Sequence, residues 1–389
     1  MSFRRIEDFG DLTGRRAVIR VDLNVPMQDG KVTDNTRLKA VKPTVDAVIA
    51  AGGKAVLLAH FGRPKGQVVD TMSLKQVVAP LADVLGRSVG FVDHGEALSD
   101  DDVIVFENTR FLPGEEKNDP ATAKSFADLG DVFINDAFSA AHRAHASTAG
   151  IADYLPAAAG KTMEAELSAL DKALANPTKP VGALVGGAKV SSKIAVLTNL
   201  VTKVDHLIIG GGMANTFLLA KGYSVGKSLA EADFVDTAKE ILAAAAKSGC
   251  QVHLPVDGLL AKDFKAHADY RAGTIDSVAD DEMILDCGPD SVAEVEALVA
   301  DLRTLVWNGP MGAFEIAPFD TGTNAVARAA AKACNAGSLT AVAGGGDTVA
   351  ALAGAGVVDD FSFISTAGGA FLEWMEGRDL PGVSALSTK

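Results

Sequence analysis

Short, nearly unbroken apolar runs recur along the chain, separated by longer stretches with helical spacing. In the first half the runs are Ala17–Val21, Ala55–Ala59, Val103–Phe106 and Val132–Ile134. In the second they are Ala183–Val185, His206–Ile209, Leu305–Trp307, Ala341–Ala343 and Phe363–Ser365. Continuous apolarity, rather than alternation, marks strands covered on both faces, as in a parallel sheet. Between them, Leu38–Ala51, Asp233–Ser248, Ser291–Leu302 and Thr323–Asn335 read as helices. This succession predicts an α/β fold of doubly wound, mainly parallel sheets with helices on both faces.

Thr162–Leu174 predicts a further helix, capped by Thr162 and stopped by Asn176-Pro177 and Lys179-Pro180. A helix with such a stop near the midpoint is read as a hinge between two lobes, 1–175 and 176–374. At 389 residues the chain is long enough for a large core in each.

Composition narrows the partners. With 48% hydrophobic and 22% charged residues the chain is globular, not disordered or collagen-like. A net charge of −14 opposes a phosphate backbone, so no nucleic-acid partner is expected. Yet ten of the 14 arginines lie between Arg4 and Arg143. Arginine is the side chain suited to bidentate capture of phosphate and carboxylate. Cys250, Cys287 and Cys334 show no metal or disulfide spacing and are expected in the core. Met1–Gly10 is polar, and the most apolar window, Ala341–Val358, is broken by Gly, Asp and Thr. No membrane span or export signal is expected, and the expected location is the cytoplasm.

The strands of the second half all run into glycine. The junctions are Gly186-Gly187-Ala188-Lys189, Gly210-Gly211-Gly212, Asn308-Gly309-Pro310-Met311-Gly312, Gly344-Gly345-Gly346-Asp347-Thr348 and Ser365-Thr366-Ala367-Gly368-Gly369. In a doubly wound sheet these junctions share the carboxyl edge, where ligands bind. Glycine admits a ligand close to the backbone, and helix N-termini offer N–H groups to phosphate. No P-loop and no G-x-G-x-x-G fingerprint is present. Lys189 and Lys193 are four apart and, on a helix beginning there, would share a face toward a polyphosphate. Asp347 suits a helix cap or a Mg²⁺ ligand. Glu315 suits a ribose hydroxyl.

The first half ends its strands in polar groups: Asp22-Leu23-Asn24, His60-Phe61-Gly62-Arg63, Glu107-Asn108-Thr109-Arg110 and Asn135-Asp136, then His142, Arg143 and His145. Arg37 opens the first long helix. On one carboxyl edge these would form a basin for a small, strongly anionic, oxygen-rich molecule. A nucleotide-phosphate lobe and a small-anion lobe together fit phosphoryl transfer by hinge closure.

The stretches RVDLNVP (20–26), LLAHFGRP (57–64), ENTRF (107–111), EEKND (115–119), NDAFSAAHRAHAST (135–148), GGAKVSSKI (186–194), IIGGGMANTF (208–217), LDCGPDS (285–291), VWNGPMGAFE (306–315), GGGDT (344–348), STAGGA (365–370) and LPGVSALS (380–387) resemble the phosphoglycerate kinase family. They follow that family's order. The resemblance implies 1,3-bisphosphoglycerate + ADP ⇌ 3-phosphoglycerate + ATP, with Mg²⁺, by a hinge-bending monomer of two Rossmann-like lobes. It implies that Asp22, Leu23, Asn24, Arg37, His60, Phe61, Gly62, Arg63, Arg110 and Arg143 hold the phosphoglycerate. Arg37, Lys189 and Lys193 would be catalytic, with Arg37 facing the transferring phosphoryl group and Lys189 following it. Gly187, Ala188, Lys193, Gly211, Asn308, Pro310, Glu315, Gly345, Gly346, Asp347 and Thr348 would hold the nucleotide, with Asp347 on the metal. The tail, 375–389, would return to the first lobe. Two alternatives remain at this stage: another acyl-phosphate kinase, or a two-lobed binding protein without catalysis.

Overall fold

The computed structural model describes residues 3–387. The chain forms two compact units, Met1–Ser168 with Asp379–Lys389, and Ala169–Arg378.

The first unit is built on six parallel strands: β1 Arg16–Arg20, β2 Lys54–Leu58, β3 Gly90–Val92, β4 Val103–Phe106, β5 Val132–Asn135 and β6 Ala157–Ala159. Their order is β3-β4-β2-β1-β5-β6. Helix Thr36–Ala50 places Leu38, Val41, Val45 and Val48 on one face, at alternating spacings of three and four. Those side chains meet Ile19, Leu57 and Val105 of the sheet and Val77, Leu81 and Leu85 of helix Lys75–Leu85 in one buried cluster.

The second unit repeats the plan with β7 Val181–Val185, β8 His206–Ile209, β9 Gln251–His253, β10 Thr304–Asn308, β11 Thr340–Gly344 and β12 Phe363–Ser365, all parallel. The order is β9-β8-β7-β10-β11-β12, so the chain reverses direction across the sheet between β7 and β10. That reversal opens a crevice at the carboxyl ends of these two strands. A separate antiparallel sheet of Asp257–Ala261, Tyr270–Thr274 and Met283–Cys287 has no counterpart in the sequence reading. Its edge strand Tyr270–Thr274 is mostly exposed, so it carries no apolar run.

Two details of the sequence reading are corrected. Thr162 does not cap its helix. The helix is Lys161–Leu170, continued by a wider turn at Asp171–Ala175, and Thr162 lies inside it. The cap is Asp136, whose Oδ1 accepts from the N–H groups of Thr162 (2.8 Å) and Met163 (3.1 Å). Of the cysteines, Cys250 and Cys287 are buried, but Cys334 is half-buried.

Asp286 plays the matching part in the second unit. Its Oδ2 accepts from Gly322 N (2.7 Å) at the start of helix Thr321–Asn335, and its Oδ1 from Cys287 N (2.9 Å). Burial pushes both Asp136 and Asp286 up to about 7. A carboxyl raised in the folded state contributes stability that is full below its unfolded value, about 4, and is lost as pH rises through 7. Asp286→Asn therefore shifts in stability relative to wild type, in the variant's favour, as pH rises from about 4 to about 7. Urea midpoints across that range test this, and a constant difference would contradict it.

Candidate active site

In the first unit the strand-end polar groups form a connected set. Asp22 Oδ1 accepts from Asn24 N (3.0 Å) and from Arg37 Nη1 (3.3 Å), and its Oδ2 from Ser139 Oγ (2.6 Å). Arg37 Nη1 also donates to the Asn24 carbonyl at 2.7 Å. Asn24 Oδ1 accepts from Gly62 N (3.0 Å), joining the loop after β1 to the loop after β2. Arg110 Nη1 donates to the Gly62 carbonyl at 2.8 Å. Fully buried Asn108 holds Phe61 on both sides, through its N–H (3.2 Å) and its carbonyl (2.7 Å).

His60 lies in the fields of Arg20, Arg110, Arg143 and His145, and burial together with those charges holds it far below the ordinary histidine value. His145 is pushed down to about 3 by burial and the same arginines. Thus Asp22, Asn24, Arg37, Gly62 and Arg110 are drawn together by direct bonds, while His60 is bonded to Arg20 and lies in the field of Arg143. Leu23 is wholly buried in the core, so only its backbone faces the loop. Phe61 packs against the same core. Arg63 stays exposed beside Gly62. Arg20 was passed over in the sequence because it sits inside an apolar strand. Its signal was that position itself, since a buried arginine must be paired.

In the second unit two cavities adjoin at the β7–β10 crevice. One, about 410 Å³, is lined by Gly186–Lys189, Lys193, Asn308–Pro310, Gly345–Thr348 and Gly368. Lys193 Nζ bonds Asn308 Oδ1, and Asn308 Nδ2 donates to the Gly344 carbonyl at 2.7 Å. Thr348 Oγ accepts from Gly309 N (2.7 Å) and donates to the same carbonyl (2.9 Å). Burial lowers Lys193, while Asp347 and Glu376 partly restore it. The other cavity, about 480 Å³, is more apolar. Leu229, Phe264, Met283 and Leu285 line it beside Gly211 and Glu315. Gly187, Ala188, Pro310 and Asp347 border both. Phe264 and Leu229, 64% and 53% exposed, were missed in the sequence because nothing in their local pattern marks them.

Lys189 and Lys193 do not share a helix face. Lys189 is extended ahead of a short turn at Val190–Ser192, and helix Ile194–Leu200 starts only after Lys193. Both still line the 410 Å³ cavity. The Lys189 loop is tied down by Ser191, which bonds Glu231 through N (2.9 Å) and Oγ (2.6 Å).

The glycines divide by what surrounds them. A Cβ on Gly186 would lie 1.8 Å from the Pro310 carbonyl oxygen, so this residue lets two loops touch. Gly345 adopts φ +101°, where a side chain is strained. A Cβ on Gly346 meets nothing within 4 Å and projects into open space. Gly186→Ala is therefore expected to cost about 1–3 kcal/mol of stability by overpacking. Gly346→Ala should stay within about 0.5 kcal/mol of wild type and raise the KM for nucleotide. Thermal unfolding and kinetics of the pair test this. A destabilised Gly346→Ala with ordinary KM would refute the division.

Asp347 offers an exposed carboxylate to both cavities at the first turn of helix Gly346–Ala355. Among the described residues there is no group of three or more metal-ligating side chains. One carboxylate beside a phosphate-sized cavity suits Mg²⁺ carried on a nucleotide, which keeps most of its waters, rather than an all-protein cage.

Residues 6–378 match the phosphoglycerate kinase family model. The phosphoglycerate kinase of Novosphingobium aromaticivorans is 60% identical over 393 residues, covering 99% of this chain and 100% of that one. That of Zymomonas mobilis is 59% identical over 395 residues, covering 99% and 100%. Among solved structures, the phosphoglycerate kinase of Coxiella burnetii superposes with a TM-score of 0.94 at 43% identity, covering 99% of each chain. That of Pyrococcus horikoshii gives 0.78 at 31% identity, covering 98% of each. The motifs, the paired parallel sheets and these matches agree, and the chain belongs to the phosphoglycerate kinase family.

Proposed function

We propose that this enzyme moves a phosphoryl group between 1,3-bisphosphoglycerate and ADP, giving 3-phosphoglycerate and ATP, reversibly, in glycolysis and gluconeogenesis. Membership of the family carries the reading, and the lysine- and glycine-lined cavity beside an apolar one supports it. The apolar cavity takes the base, Glu315 takes the ribose, and Lys193, Asn308 and the Gly345–Thr348 turn take the phosphates. The basin of Asp22, Asn24, Arg37, His60, Arg63, Arg110 and Arg143 takes the phosphoglycerate. No observation favours another acyl-phosphate kinase or a non-catalytic binding protein.

The substrate is already activated, so the chemistry needs no general base. A β-phosphate oxygen of ADP attacks phosphorus in line. The new P–O bond forms as the acyl P–O bond breaks, and the electron pair leaves on the carboxylate. Asp347 would hold a Mg²⁺ ion carried on the nucleotide, which when bound would supply charge neutralisation on the phosphate oxygens. Arg37 and Lys189 supply the rest at the equatorial oxygens. Reacting atoms must come within roughly 3–3.5 Å, so turnover requires the two half-sites to close together and exclude water. We place the enzyme in the cytoplasm as a monomer, since one chain provides both half-sites. Among the described residues no helix is long and apolar enough to cross a membrane.

The deciding assay mixes the protein with 3-phosphoglycerate, Mg-ATP, glyceraldehyde-phosphate dehydrogenase and NADH. Rapid NADH loss is expected. Folded protein that binds both substrates without NADH loss would mean that the half-sites bind but do not transfer.

A further inference from the structure

Arg20 is 1% exposed, and all three of its guanidinium nitrogens are engaged. Nε donates to Ser147 Oγ at 3.0 Å, Nη1 donates to the Val21 carbonyl, and Nη2 lies 2.8 Å from His60 Nδ1. A guanidinium has only N–H groups to offer and stays charged. The Nη2–Nδ1 contact therefore has one possible direction: Arg20 donates, and Nδ1 accepts through a bare lone pair. An imidazolium, or a neutral ring protonated at Nδ1, would set N–H against N–H.

We infer that His60 is locked as the neutral Nε2–H tautomer by Arg20, and that it meets the phosphoglycerate as a fixed, uncharged hydrogen-bond donor. Arg20 is then a positioning residue, acting through His60. The second half rests on His60 belonging to the substrate site.

The lock is backed from behind. Ser147 Oγ donates its proton to Glu115 Oε1 at 2.5 Å, and Ser147 N donates to Glu115 Oε2 at 2.9 Å. With that proton committed, the Ser147 oxygen presents a lone pair to Arg20 Nε. Glu115 is fully buried, so the chain Glu115–Ser147–Arg20–His60 is anchored in the core. The charged groups around the ring act in the same sense. Arg20 on β1, Arg110 after β4 and Arg143 after β5 all oppose a second proton on His60, while His145 after β5, pushed down to about 3, is neutral from pH 5 to 8. A donor without charge adds direction to a basin already rich in arginine. It also leaves binding indifferent to pH where free histidine titrates, near 6.5.

The test is long-range ¹H–¹⁵N NMR of the full chain labelled at its seven histidines. The His60 signals are assigned by their loss in His60→Gln. Without substrate, from pH 5 to 8, Nδ1 is expected as the bare nitrogen and Nε2 as the protonated one, without titration. A protonated Nδ1, or a titration within that range, overturns the lock. In Arg20→Gln, His60 should show mixed tautomers, while burial and the fields of Arg110 and Arg143 still hold its charging below the ordinary histidine value. An unchanged His60 in that variant would remove Arg20 from the role. If Arg20→Gln does not fold, the wild-type spectra still decide the tautomer. Adding 3-phosphoglycerate to wild type should shift the Nε2–H signal. If saturating substrate leaves it unmoved, the donor role and His60's place in the substrate site both fall, while the tautomer stands.

Discussion

Arg37→Ala and Lys189→Ala each lower kcat by about 10²–10³, with thermal unfolding close to wild type. The transferring phosphoryl group carries charge on three equatorial oxygens that no nearby solvent can offset once water is excluded. Losing one charge-assisted contact to such a group costs on the order of 2–4 kcal/mol of transition-state stabilisation. Neither side chain is needed by the fold. The Arg37 side chain is 41% exposed and, among the described residues, is held only by Asp22 and the Asn24 carbonyl. Lys189 is exposed on a loop that Ser191 and Glu231 fix without it. The loss should therefore appear in kcat, with smaller changes in either KM. Near-normal turnover in both variants would remove these residues from the chemistry.

Glu115→Gln has the opposite signature: the fold suffers first. Arg20 is wholly buried, and Glu115 is the largest opposing charge on it. Glutamine keeps the shape but removes that charge, leaving half-buried Asp22 as the next one opposing the guanidinium. Breaking a direct buried pair from one side costs about 3–5 kcal/mol, and here, with Ser147 bridging the two groups, a loss of about 2–3 kcal/mol is expected. The damage should be confined to one unit, and the chain carries a natural reporter for this. Both tryptophans, Trp307 and Trp374, lie in Ala169–Arg378. In urea, far-ultraviolet circular dichroism of Glu115→Gln should show an early transition that tryptophan fluorescence does not follow. Coincident transitions, or a loss under about 1 kcal/mol, would mean that Arg20 finds its compensation elsewhere.

The sequence made the two large sheets legible because their central strands are buried on both faces and read as solid apolar runs. The three-residue strands Gly90–Val92, Ala157–Ala159 and Gln251–His253 are too short to leave a periodic mark. The antiparallel sheet at 257–287 escaped for a different reason. Its edge strand Tyr270–Thr274 is exposed, and that strand's identity depends on its pairing partner rather than on its own pattern. In the site, residues that end strands were readable because polar groups there break an apolar run. Those acting through long-range contacts were not. Arg20, Glu115 and Ser147 lie 95 and 127 positions apart from first to second and from first to third, and only folding brings them together. The paired lysines erred at the level of local conformation: a spacing of four implies a shared face only if a helix has begun, and here it begins at Ile194.

Residues 379–387 belong to the first unit, although the whole of the second unit precedes them in the chain. Leu380, Val383 and Leu386 are buried there. Gly382 N donates to the Ala141 carbonyl at 2.8 Å, its carbonyl accepts from Asn135 Nδ2 at 3.1 Å, and Ser387 pairs with Phe3. This connectivity sets an order on the ribosome. Residues 169–378 form one unbroken segment and can complete their packing as soon as they clear the exit tunnel. The unit whose synthesis starts first must wait, incomplete, until the tail arrives. Vectorial synthesis thus denies the first unit the head start that an N-terminal domain usually has. During translation the interval of greatest exposure to proteases and to aggregation falls on the first unit.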